Sequence, residues 1–116
     1  HFKRINDTYG HKKGDEVIQE VAERILHTIR RKDVAVRWGG EEFLITFKSY
    51  SYQQLEAKAE QIRVAIDSEL IKKLPVTISI GAVAESDISF SEAYKLADSA
   101  LYLSKENGRN RVTMAD

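Results

Sequence analysis

Apolar residues recur at near-helical spacing early in the chain: Val17, Val21, Ile25 and Ile29, with Ile18, Ala22 and Leu26 alongside. That period predicts an amphipathic helix from about Gly14 to Arg31. Arg30, Arg31 and Lys32 fall at its expected C-terminal end, where cations complement the helix dipole. The stretch before it, Lys3 to Gly14, is polar and turn-rich and reads as a loop or a short helical turn. After the helix the period changes to two. Val34 and Val36 alternate with Ala35 and Arg37, and Phe43, Ile45 and Phe47 alternate with Leu44 and Thr46. The runs Val34 to Trp38 and Glu41 to Phe47, around Gly39-Gly40, predict a β-hairpin with a two-residue turn.

A second helix is expected over Tyr52 to Leu70, and a strand over Val76 to Ala84 after Pro75. A third helix follows over Ser91 to Glu106, with Ser89 or Ser91 as N-cap and Gly108 as its stop. Arg111 to Met114 reads as a short closing strand. The order is α-β-β-α-β-α-β. One strand in front would complete β-α-β-β-α-β, the ferredoxin-like arrangement, in which the first strand is central. The expected class is therefore α/β (α+β): a central antiparallel and mixed sheet flanked by helices, with the first strand missing from the chain.

Composition narrows the partners. At 116 residues the chain is expected to be one domain over 1–116. Eighteen basic and 18 acidic residues give zero net charge, so no global field steers it to nucleic acid or anionic membrane. An α/β nucleic-acid binder is disfavoured further by the lack of an aromatic-basic surface pattern. There is no cysteine, hence no disulfide and no thiolate metal site. No apolar run approaches a membrane span and the start lacks a signal-peptide stretch, which fits a cytoplasmic domain. His1-Phe2-Lys3 opens without methionine and reads like mid-domain sequence, so the chain is expected to be an N-terminally truncated piece of a longer protein.

Candidate chemistry concentrates at Arg37-Trp38-Gly39-Gly40-Glu41-Glu42-Phe43. A turn needs glycine but does not need two carboxylates beside it. A tip without side chains, flanked by opposite charges, suits a metal-bound phosphate. Arg30-Arg31-Lys32-Asp33 is a second constellation, an RxxD spacing that is weak in isolation.

Together these residues make the chain resemble the GGDEF family of diguanylate cyclases. The signature stands as Gly39-Gly40-Glu41-Glu42-Phe43. Phe2 to His11 and Gly14-Asp15 look like the family's loop after its first strand, and Ser79-Ile80-Gly81 like a later strand. Ala97-Asp98, Ala100-Leu101-Tyr102 and Lys105 to Arg111 look like its last helix and tail.

The resemblance implies a nucleotidyl-cyclase palm that condenses two GTP molecules into cyclic di-GMP, with release of two pyrophosphates. A homodimer is needed, each subunit holding one GTP, with an upstream sensory or regulatory domain expected in the parent. That parent is membrane-anchored if its upstream segments supply an anchor. Glu41 would be a ligand of Mg2+ (or Mn2+), hard cations that favour oxygen donors. Glu42 would be a second ligand or help deprotonate the 3′-hydroxyl. Gly39 and Gly40 would admit the phosphate, and Arg37 would pair with its oxygens. Asn6 and Asp15 would read guanine, although the spacing alone favours a turn-forming Asn and a helix-capping Asp. Lys3, Lys105, Arg109 and the backbone near Phe2 would hold the β- and γ-phosphates. Lys105 and Arg109 would share a face if the last helix persists that far. Arg30 and Asp33 would form an inhibitory product site, the arginine stacking on guanine and the aspartate accepting from its edge. Family members carry a metal-binding aspartate two positions before the place of His1. Without it, this stretch alone is expected to bind magnesium–GTP poorly. A different class remains open: a non-catalytic cyclic-di-GMP receptor or dimerisation module built on Arg30 and Asp33.

Overall fold

The computed structural model describes residues 2–37, 42–85 and 87–115. The elements run α1 (Phe2–Tyr9), α2 (His11–Thr28), β1 (Val34–Arg37), β2 (Phe43–Thr46), α3 (Tyr52–Asp67), β3 (Ile80–Ala82), α4 (Phe90–Glu106) and β4 (Val112–Met114). The expected order is present with one helix added in front. The expected loop or short turn over Lys3 to Gly14 is instead a complete eight-residue helix. Gly10, at φ 89°, ends it and turns the chain so that α1 folds back on α2.

The core forms where the helical period predicts. α2 buries Val17, Ile18, Val21 and Ile25, and α3 buries Leu55, Ala59, Ile62 and Ile66. Six of the most buried residues, Val17, Val21, Ile25, Ile62, Ile66 and Ile71, make one cluster. Burying isoleucines of this size stabilises by about 1.5–3 kcal/mol each. The two helices also cap each other. Arg24 on α2 donates to the carbonyls of Ala65, Glu69 and Leu70 (3.2, 3.2 and 3.1 Å) at the end of α3. Lys58 Nζ on α3 donates to Thr28 O (2.8 Å) at the end of α2. Carbonyls that lack helical partners are thereby satisfied by the neighbouring helix.

β1 and β2 pair antiparallel, Arg37 opposite Phe43 and Ala35 opposite Ile45. Ala35, Phe43, Ile45 and Phe47 pack on the core. The small Ala35 therefore faces inward, while Val34 and Val36 are 53% and 46% exposed. β3 and β4 pair parallel through Ile80–Val112, Gly81–Thr113 and Ala82–Met114. Among the described residues the strands thus form one antiparallel and one parallel pair, both resting on the same core. The strand expected over Val76 to Ala84 shrinks to Ile80–Ala82, because only that stretch finds a hydrogen-bonded neighbour. α4 lies directly on β3. A Cβ on Gly81 would run into the backbone of Ala97 and Leu101, so only glycine admits the helix there. The buried Ser104 Oγ donates to Ile80 O (2.9 Å) and meets Thr113 Oγ1 (2.6 Å), pinning α4 to both strands.

Helix ends differ from expectation in ways that matter for the site. α2 stops at Thr28, and Ile29 is extended, so Arg30, Arg31 and Lys32 lie beyond the helix. α2 starts at His11, which puts Asp15 in its second turn and not at its cap. Ser89 caps α4 by accepting from Glu92 N (3.1 Å), and Gly108 follows its end at φ 117°.

Candidate functional site

A groove of about 410 Å³ runs between α2 and the β1–β2 hairpin. Asp15 enters it from α2, Arg37 from the end of β1 and Phe43 from the start of β2, over an apolar floor that includes Ile18 and Ala35. Antiparallel pairing explains why the hairpin contributes this set. Arg37 and Phe43 are direct partners, so both side chains fall on the face that carries Ala35.

The same end of α2 receives α1. Phe2 and Asn6 are one helical turn apart, and both lie over Gly14, which is buried at the helix crossing. Asn6 Oδ1 is buried there without a hydrogen-bond partner among the described residues. Buried polar atoms are ordinarily paired, so this one stands out. Asp15 is adjacent to Gly14 in sequence. Four of the residues expected to meet substrate, Phe2, Asn6, Asp15 and Arg37, are therefore gathered around the first half of α2. Lys3 is exposed on α1. Lys3, Asp15 and Lys105 make no side-chain hydrogen bond or ion pair with another described residue.

Lys105 and Arg109 are at the far end of α4. The helix does not persist through them, because it ends at Glu106. Arg109 and Asn110 follow Gly108 in left-handed conformation, at φ 63° and 46°. The turn brings Arg109 back over the helix end: its N–H donates to Ser104 O (2.9 Å) and Nη1 to Lys105 O (3.4 Å). Arg63 on α3 holds the turn from outside by donating through Nη1 to Asn110 Oδ1 (2.9 Å). Arg63 is itself fixed by a fork to Glu60 (2.7 and 2.6 Å).

The RxxD corner is closed on itself. Arg30 Nε donates to Asp33 Oδ2 (3.0 Å), Nη2 to Asp33 Oδ1 (2.9 Å), and the Arg30 backbone N–H to Oδ2 (2.9 Å). Nη2 also donates to Lys48 O (2.7 Å), and the guanidinium lies 3.9 Å from the centre of the Tyr50 ring, a cation–π contact. The Asp33 side chain is 0% exposed and that of Arg30 31%. Hydrogen bonding from Arg30 holds the Asp33 carboxyl below the usual range, against the opposite push of burial. The same bond raises Arg30. Arg30 thus offers surface to a ligand, whereas Asp33 has both oxygens engaged and none exposed.

Gly39, Gly40 and Glu41 lie outside the described residues; Glu42, half-buried, is the first residue described after them. Among the described residues no three acidic, imidazole or thiol side chains converge as a metal site would require. These residues alone do not make a metal centre. No helix among them is long and apolar enough to cross a membrane. Sequence reasoning gave Gly14 and Asn110 a place in the resemblance but no role, and passed over Tyr50 and Arg63. Gly14 carried a readable signal, since a glycine inside a helical pattern implies a close approach. The other three depend on partners distant in sequence.

The layers and groove define an α/β domain of the palm type, with an acid and an arginine sharing one cleft. Residues 1–111 match the family model "Diguanylate cyclase, GGDEF domain", and the chain belongs to the GGDEF family. It is 46% identical over 121 residues to diguanylate cyclase A of Treponema denticola, covering 98% of this chain and 32% of that protein. The GGDEF domain of DgcB from Caulobacter crescentus, solved in complex with c-di-GMP, superposes with a TM-score of 0.94 at 38% identity, covering 100% of this chain and 70% of that one. The active GGEEF domain of a diguanylate cyclase from Vibrio cholerae gives 0.91 at 32% identity, covering 100% and 77%. The chain spans no more than about a third of the length of the curated relatives it matches, 32%, 27% and 28% of the first three.

Proposed function

We propose that this domain, within its parent protein, condenses two GTP molecules into cyclic di-GMP with release of two pyrophosphates. The observation that carries the reading is the groove beside the hairpin that gathers Asp15 and Arg37, with Asn6 packed at the adjoining helix crossing. Asp15 and Asn6 read guanine: a carboxylate accepts from N1–H and the 2-amino group, which adenine does not present together. Arg37 pairs with phosphate oxygens, and Lys3, Lys105 and Arg109 neutralise the β- and γ-phosphates. Lys105 and Arg109 serve from the helix end and the left-handed turn, so they act without sharing a helical face. Glu41 would hold Mg2+ or Mn2+, which when bound would screen charge at the α-phosphate.

Each 3′-oxygen forms a bond to the α-phosphorus of the other nucleotide. The bond to pyrophosphate breaks, and the hydroxyl proton passes to a base. Glu42 is assigned either that role or a second metal contact. Because each subunit holds one GTP, two subunits must meet face to face, which suits a symmetric product. Product inhibition runs through Arg30, whose exposed guanidinium meets a guanine or phosphate while Asp33 keeps it oriented. The DgcB domain solved with c-di-GMP supports product binding in this family.

The test is direct. The full-length protein, incubated with GTP and Mg2+ at high protein concentration, is expected to yield cyclic di-GMP and pyrophosphate. Tight cyclic-di-GMP binding with no turnover would replace this reading with the receptor.

A further inference from the structure

We infer that Gly14 sets the base specificity of the site, as a positioning residue, by leaving the space in which the Asn6 carboxamide is seated. The inference rests on the proposed reading that Asn6 contacts guanine.

Gly14 lies in α2, where glycine is a poorer helix former than alanine. It does not hold a left-handed conformation; among the described glycines only Gly10 and Gly108 do. Backbone freedom therefore does not explain it, and space does. A Cβ at Gly14 would collide with Asn6 Oδ1 and stand 2.9 Å from Asn6 Cγ and 3.2 Å from Phe2 Cζ. All three are side-chain atoms of α1. A methyl group there evicts the amide and crowds the ring before it pushes the helices apart. Gly81 differs: its nearest neighbours are backbone atoms of α4, which cannot swing away.

The Asn6 amide is also held by shape more than by bonding, since its buried Oδ1 has no partner. A group seated by shape moves when the seat changes. Asp15, next to Gly14, points into the groove and is untouched by the methyl. The substitution should thus remove one of two guanine contacts and leave the other.

The experiment compares Gly14→Ala, Asn6→Ala and the double variant in the full-length protein. Calorimetry measures binding of α,β-methylene analogues of GTP and ATP, which cannot release pyrophosphate; with Oδ1 buried, Asn6 offers its Nδ2 donor to guanine O6, an acceptor that adenine replaces with an amino group. Expected for Gly14→Ala is a roughly tenfold loss of affinity for the GTP analogue, one hydrogen bond's worth, with the GTP-to-ATP preference reduced to that of Asn6→Ala. The double variant should bind no more weakly than Asn6→Ala alone. If Gly14→Ala keeps the preference that Asn6→Ala loses, the inference is overturned. If Asn6→Ala keeps it too, the guanine reading beneath it fails. Should Gly14→Ala not fold, removing the Asn6 side chain should restore folding, and a double variant that stays unfolded would refute the collision.

Discussion

Two corners of this domain hold the same kinds of residue in opposite electrostatic states. At the end of α2, Arg30 and Asp33 have consumed each other: both carboxylate oxygens are taken, and the acid is buried. At the start of α2, Asp15 and Lys3 are exposed with no ion partner among the described residues, and Asn6 Oδ1 is buried without a bond. Polar groups that satisfy one another hold the fold, whereas exposed ones without a partner, as at Asp15 and Lys3, are available to a ligand. The motif expected to bind product is thus also a clip that joins the loop after α2 to Lys48 and Tyr50, beyond β2.

The largest expected effect is at the clip. Asp33→Ala strips three hydrogen bonds at once and leaves Arg30 without its partner, so the melting temperature should fall by about 10 °C. A change of under 2–3 °C, near the scatter of surface substitutions, would mean the two corners do not differ in this way.

Acid pH provides a milder version of the same break. The folded chain holds Asp33 below its unfolded value, so the unfolded chain takes up that proton first as pH falls. The clip's contribution is complete above the unfolded value near 3.9 and fades as pH falls from there through the folded value. Glu60, lowered by Arg63, adds a slope of the same sign. Denaturant titrations from pH 6 to 2.5 should show Asp33→Asn flattening this loss without abolishing it. Identical slopes would remove Asp33 from the account.

Much of this division was legible in the chain, and the rest was hidden for physical reasons. The helical period of Val17, Val21 and Ile25 located α2, and the alternation around Phe43 and Ile45 located the hairpin, because both patterns report burial directly. The start of α2 was misplaced because Gly10 and Gly14 look alike locally: one breaks the chain and the other accommodates α1, a tertiary fact. The strand over Val76 to Ala84 was overdrawn because apolar alternation shows a buried face and not a hydrogen-bonded neighbour. RxxD was visible as a spacing, yet its internal pairing and its support from Tyr50 were not. Those contacts depend on how the loop after α2 meets the end of β2.

The tail is an intermediate case. Arg63, paired with Glu60, supports Asn110, and Asn110 adjoins an arginine assigned to phosphate. Arg63→Ala should weaken binding of the GTP analogue by about fivefold through loss of one positioning hydrogen bond, with the GTP-to-ATP preference unchanged. A changed base preference would place Asn110 in the guanine subsite and blur the comparison.

The smallest effect on the fold, and the one that separates the corners most sharply, is expected at Asp15. Asp15→Asn removes an exposed charge in the second turn of α2 that no described residue pairs with, so the melting temperature should move by less than about 2 °C. The same change gives the groove an amide where the proposed reading has a carboxylate accepting two guanine donors, and the preference for GTP over ATP should fall by about tenfold or more. Stability and recognition would then be carried by different acids of one helix and the loop beyond it. If Asp15→Asn instead destabilised the domain as Asp33→Ala does, the groove would be part of the scaffold and the guanine contact would have to lie elsewhere.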